Sequence, residues 1–290
     1  MQLDRTRIVI RERSSTELLD LSLRVLGRYG KPIALTSAIL IVPFAILNEL
    51  LIAHLIADEL SALTIPQYVS VMAQLVFIEA PFATTVTTVF LGRMMFLQET
   101  DLRSMVHESA ALIGRLTVTQ LIKRGVFVAI AIGVLSWSDP DYIHLLWIVT
   151  ILVGIVRMGR PFINEIVLLE KNPLRSKDKS AITVSRRSSR LHGPSSGDLF
   201  GRSILMSLVL FTAVCSVGLS LWFIQGLMTN LWVWGHWMIR GFVPLSMWVV
   251  AVYSTVYRFL CYLDLRIRRE GWEVELQVRA AAAELQGVHA

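Results

Sequence analysis

Six apolar stretches recur along this chain, and each approaches the roughly 20 residues that an α-helix needs to cross the ~30 Å hydrocarbon core of a bilayer. They cover 33–56, 68–94, 116–137, 142–160, 203–227 and 238–262. The third starts close to Lys123 and Arg124, so its apolar part is short. The fourth is also short and extends past Arg157, whose long stem can carry its charge out to the headgroups.

Composition agrees with this pattern. Of 290 residues, 54% are hydrophobic and 17% charged, whereas a soluble domain carries about 25% charged residues. The excess excludes an ordinary soluble core and a disordered chain alike. A net charge of +6 would suggest nucleic acid as a partner in a soluble protein. Here the charges lie between apolar spans, and nucleic acid is not expected. Cys215 and Cys261, the two cysteines, both fall inside apolar runs, so no disulfide framework or thiolate metal site is implied. The basic N-terminal segment lacks an early apolar core and cleavage site, which argues against a removable signal peptide.

The basic residues test the span count independently, because cytoplasmic loops retain Lys and Arg. Seven lie in 1–32, five after the second span, ten after the fourth and five after the sixth; only Arg240 of the 28 falls on the other side. The expected fold is therefore all-α: a polytopic transmembrane bundle of six spans with both termini in the cytoplasm, in a bacterial inner membrane. Residues 1–32 form a cytoplasmic N-terminal segment, 33–262 the membrane domain and 263–290 a cytoplasmic helical tail.

Amphipathic helices should lie along the cytoplasmic face. Ser14 and Glu17 form a capping box opening a helix through Tyr29. Leu18, Leu19, Val25, Leu26 and Tyr29 fall on one face of it, and Glu17, Asp20, Arg24 and Arg28 on the other. A similar helix is expected over 101–115. The segment 171–201 is rich in Ser and Arg without apolar periodicity and reads as a mobile basic loop. The tail is helical with a break at Gly271.

Few residues carry chemistry. Glu79 stands deep in the second span, two residues before Pro81, with Thr84 and Thr88 following toward the cytoplasm. A carboxyl at that depth must be neutral, hydrated or paired, so this is the candidate intramembrane polar site, competing with a plain packing role. Glu49 and Arg240 sit at comparable depth near the outer surface and form a candidate ion pair. Gly125, Ala129 and Gly133 repeat every four residues, a spacing that lets another helix approach closely. Trp232, Trp234 and Trp237 fit an outer aromatic belt. Arg186, Arg187 and Arg190 in the loop and Arg266, Arg268 and Arg269 in the tail face the anionic leaflet and are candidate lipid or partner contacts. The scattered histidines lack metal-ligand spacing, and no phosphate-cradling glycine loop appears, so no catalytic, metal or cofactor site is expected.

Three stretches resemble a known group of proteins. Arg11-Glu12-Arg13-Ser14 running into Glu17-Leu18-Leu19-Asp20-Leu21, with Arg24 and Tyr29, is one. Glu165 to Glu170 followed by Arg186 to Leu191 is the second, and Tyr262 to Gly271 the third. Together they look like bacterial six-span proteins related to the membrane domain of glycerophosphodiester phosphodiesterases and to the YciC-like family. The resemblance implies no catalytic residues, since catalysis in the phosphodiesterase relatives belongs to a separate soluble domain.

The leading expectation is a non-catalytic scaffold or accessory subunit, with the lipid bilayer and other membrane or cytoplasmic proteins as partners. The alternative is a small-solute or lipid permease component using Glu79.

Overall fold

The computed structural model describes residues 12–53, 64–96, 100–128, 130–131, 143–177 and 181–271, and every regular element among them is helical. In chain order these are α1 (Ser15–Ile52), α2 (Thr64–Ala83), α3 (Thr85–Met95) and α4 (Leu102–Val118), the last continued by a π-helical turn, Thr119–Lys123. Then follow α5 (Ile143–Gly159), α6 (Ile163–Leu169), α7 (Val184–His192), α8 (Ser196–Thr229) and α9 (Val243–Glu270), the last preceded by a π-helical segment, Trp237–Phe242.

Three stretches are long and apolar enough to cross a membrane: Ser15–Ile52, Val184–Thr229 and Trp237–Glu270. The pair α2–α3, bent by 43°, makes a fourth if it counts as one broken span. The expected span 142–160 corresponds to α5, a shorter apolar helix of 17 residues. Residues 129 and 132–137 of the expected span 116–137, with Ala129 and Gly133, lie outside the described residues, as do 54–63, 1–11 and 272–290.

Local sequence explains where the helices start and bend. The Ser14–Glu17 capping box closes α1 in both directions. Tyr29 leaves helical geometry just before Gly30 and Pro32, so the amphipathic entry helix and the apolar part of α1 meet at a kink. Leu18 and Val25 are buried with Leu19, Leu26 and Tyr29 packed alongside. At the far end of the chain Gly271 adopts φ 65° and terminates α9, as a left-handed glycine cap does.

Segment 171–201 is not a simple loop. The Thr183 side chain caps α7, which buries Val184, Ser188, Leu191 and His192 at i, i+4, i+7 and i+8. Two of those four residues are polar, which removes the apolar periodicity from the sequence.

The outer surface is far more apolar than that of a water-soluble bundle. The most apolar window of the α8 stretch is only 6% buried, and Phe211, Leu227 and Met228 project outward. Asn48, Glu165, His192 and Asp264 are instead buried. Such a surface suits a hydrocarbon solvent.

One buried carboxylate ties the ends of the described chain together. Asp264 accepts the Arg13 backbone N–H at 2.8 Å, Arg268 Nε at 3.0 Å and an Arg202 guanidinium at 3.2 Å. Arg268 also donates to the Arg13 carbonyl. The entry to α1 and the exit of α9 therefore lie at the same end of the bundle. Asp264→Ala strands these donors, and removing one partner of a buried charge cluster costs about 3–5 kcal/mol. The expected outcome is a drop in melting temperature in detergent on the order of 10 °C, measured by tryptophan fluorescence.

Candidate functional site

Helices α2, α5, α8 and α9 enclose a partly open cleft of about 880 Å³. Its walls are mostly apolar, from Val69, Ala73 and Phe77 on α2 to Met206, Leu210 and Val214 on α8 and Met247, Val250 and Ala251 on α9. Trp147 and Trp234 stand at one end, and Arg124, Arg157, Arg202 and Arg258 at the other. From Arg202 to Leu219 along α8 the cleft runs about 25 Å at 1.5 Å per residue.

Two prolines shape the arginine end. Pro81 has no N–H, so the carbonyl of Phe77 four residues earlier loses its helical partner. Arg157 Nη1 donates to that carbonyl at 2.6 Å, with its guanidinium 4.2 Å from the centre of the Phe77 ring. Beyond the Pro81 break, Asn164 Nδ2 reaches the Pro81 carbonyl at 3.2 Å and its other amide atom bonds Gln120. Pro161 sits where α5 gives way to α6. There Arg124 Nη2 donates to the carbonyls of Arg160 at 2.7 Å and Pro161 at 3.2 Å. Both breaks thus expose carbonyls, and guanidinium or amide groups take them up.

This packing buries charge. Arg258 Nε donates to Glu165 at 2.6 Å, and Glu165 is fully buried on α6. Arg124, Arg157 and Arg258 are close enough to repel one another. Several of their nitrogens, Nε of Arg124, Nε and Nη2 of Arg157 and Nη2 of Arg258, are buried without a hydrogen-bond partner among the described residues. Arg157 therefore does not extend to the headgroups as its position suggested; it is pinned inward by the carbonyl that Pro81 frees.

The sequence-predicted residues fall elsewhere. Glu79 accepts from Asn48 Nδ2 at 2.8 Å between α2 and α1, off the cleft. The Thr84 and Thr88 hydroxyls donate to the backbone carbonyls of Ala80 and Thr84. All four side chains are buried in packed helix contacts. Pro81 alone of that group lines the cleft. Glu49 and Arg240 form an ion pair, and Tyr68 donates to the same carboxylate at 3.0 Å. Gly125 has φ 68° and ends its helix; among the described residues an added Cβ there would meet nothing within 4 Å.

Three of the six candidate contact arginines are held by carboxylates within the fold. Arg187 pairs with Glu170 and Glu270, Arg266 with Glu270, and Arg268 with Asp264. Burial tends to raise the Glu170 carboxyl, but Arg187, Tyr262 and Arg266 together hold it below the usual carboxylate range. Arg269 bonds Ser195, while Arg186 and Arg190 are exposed on α7.

Sequence reasoning passed over Arg124, Arg157, Arg258 and Glu165 as site residues. The available signal was two prolines, Pro81 inside an apolar run and Pro161 directly after Arg157 and Arg160. Among the described residues no cluster of His, Cys, Asp or Glu could hold a metal ion. No family model, curated protein or solved structure matches the chain.

His192 braces the α5–α6 break from below. Its Nε2 accepts the Phe162 N–H at 3.2 Å and Nδ1 donates to the Ser188 carbonyl at 2.8 Å, an arrangement that requires the neutral ring. Burial, assisted by the charges of Arg124 and Arg160 against the Ser188 bond, pushes its pKa down to about 4 from 6.5. Between those values the unfolded chain binds a proton that the folded one refuses. This contribution is complete above pH 6.5 and is lost as pH falls to 4, amounting to about 3 kcal/mol. Wild type should lose stability across that interval relative to His192→Gln, with melting curves of both proteins as the check.

Proposed function

We propose that this chain is a non-catalytic six-span membrane protein, both termini cytoplasmic, that holds an amphiphilic ligand in the cleft between α2, α5, α8 and α9. The cleft itself carries the proposal. It combines a long apolar wall with a cluster of cations at one end, the two surfaces that an amphiphile presents.

Several features support the membrane setting. At 17 residues α5 spans about 25 Å, close to a hydrocarbon core, and its lining residues run from Trp147 at the tryptophan end of the cleft to Arg157 at the arginine end. The basic residues collect toward the end of the bundle where Arg13 meets Asp264, which the positive-inside rule assigns to the cytoplasm. Trp234 at the opposite end suits the outer interface. The bacterial inner membrane and a kinship with the six-span proteins that the three motifs resemble belong to the same proposal.

This reading belongs with lipid handling rather than scaffolding, because the charged helices offered for docking spend Arg187, Arg266 and Arg268 on internal ion pairs. It also departs from a Glu79 mechanism, since Glu79 is packed against Asn48. Extraction in mild detergent followed by lipid analysis tests it. Wild type should retain bound amphiphile, and Ala73→Trp with Ala251→Trp, which fills the apolar walls, should reduce retention about tenfold while the protein stays monodisperse. Equal lipid content in both proteins would contradict it.

A further inference from the structure

We infer that the ligand of this cleft is an anionic lipid with a phosphate-monoester headgroup, seated on Arg124, Arg157 and Arg258 with its hydrocarbon chains along the apolar walls; this inference rests on the amphiphile-binding proposal and names its chemical class.

Four guanidiniums stand at one end of an apolar cleft; Arg202 is paired with Asp198 and Asp264, and among the described residues Glu165 is the carboxylate that bonds the other three, through Arg258. That leaves an excess of two positive charges in a site walled by hydrocarbon. Burying an unpaired ion costs several kcal/mol even after relaxation. Arginine does not escape this cost by losing its proton, because guanidinium stays charged in proteins. The carbonyls of Phe77, Arg160 and Pro161 and the Phe77 ring offset part of this charge, and a bound anion supplies the net negative charge they lack.

Donor geometry points the same way. Arg124 is only 4% exposed, lines the cleft, and has an Nε without a partner among the described residues. Arg157 offers Nε and Nη2 in the same condition, and Arg258 offers Nη2. Four unpaired N–H bearing atoms on three forks match an acceptor with several oxygens, and a planar guanidinium pairs with phosphate in bidentate fashion. A phosphate monoester carries about −1.5 to −2 at neutral pH, which matches the excess. Existing bonds fix these arginines in advance. Arg157 is held by the Phe77 carbonyl and Arg124 by those of Arg160 and Pro161, so little side-chain entropy remains to be lost on binding.

The rest of the cleft selects a lipid over a free anion. Beyond the arginines its lining is mostly apolar, with Val, Leu, Met, Phe and Ala the commonest residues and five serines and Tyr257 among the rest. The chains of a lipid can pass from the bilayer onto this wall without meeting water, whereas inorganic phosphate would leave the apolar wall uncovered.

The test uses the full chain in nanodiscs, titrated with fluorescent phosphatidate, phosphatidylglycerol and phosphatidylcholine of identical acyl chains. Wild type should prefer phosphatidate over phosphatidylcholine by about tenfold or more, since a charge-assisted hydrogen bond contributes roughly 1.5–3 kcal/mol. This comparison needs no variant. Arg157→Gln should weaken phosphatidate binding about tenfold with little effect on phosphatidylcholine. Glu165→Gln removes the competing carboxylate and should tighten phosphatidate binding, a gain that a purely structural role for Glu165 would not give. Equal binding of phosphatidate and phosphatidylcholine would overturn the headgroup assignment while leaving amphiphile binding intact. No retention of any lipid would overturn both, and full competition by inorganic phosphate would overturn the lipid as ligand.

Discussion

A carbonyl freed by proline inside an apolar helix has no water to turn to, and the arrangement of this bundle follows from how that need is met. Pro81 frees the carbonyl of Phe77, and Arg157 reaches it from α5. Asn164 bonds the Pro81 carbonyl from α6, and Arg124 binds those of Arg160 and Pro161. In hydrocarbon an unsatisfied backbone group costs several kcal/mol, so these contacts fix how α2, α5 and α6 meet. They also bring cations to one end of a cleft that is otherwise apolar.

The same solvent logic suits the apolar outer surface. The outer face of α8 keeps large apolar side chains exposed, an arrangement that suits a hydrocarbon surround, in which they would gain nothing by turning inward. Cohesion between helices then comes from polar contacts and close fit. Asn48 to Glu79, Ser37 to Thr87 and Glu49 to Arg240 join α1 to its neighbours along its length. At the end where the chain enters, Asp264 and the group Glu170, Arg187, Tyr262 and Glu270 lock α7 and α9 to the rest.

The sequence made the local punctuation readable. The Ser14–Glu17 box, the bend before Pro32 and the stop at Gly271 depend on neighbouring residues alone, and they occur where the residue types require them. The Glu49–Arg240 contact was legible because membrane depth restricts which buried charges can meet. Helix α7 was not legible, because its buried face includes Ser188 and His192 and shows no apolar period. The arginine site was hidden for a different reason. Arg157 at the end of a span looks like any cation bound for the headgroups, and its true partner is a carbonyl 80 residues away that matters only because of Pro81. Long-range satisfaction of backbone groups leaves no periodic trace in a sequence.

The central claim is that polar groups at two helix breaks hold open a lipid-sized cleft with cations at its base. A cryo-electron microscopy map of the protein in phosphatidate-containing nanodiscs addresses it most directly. The account predicts elongated density between α2, α5, α8 and α9, with its head within hydrogen-bonding distance of Arg157 and Arg124. A map in which α8 lies closed against α2, or in which Arg157 leaves the Phe77 carbonyl for the membrane surface, would contradict it.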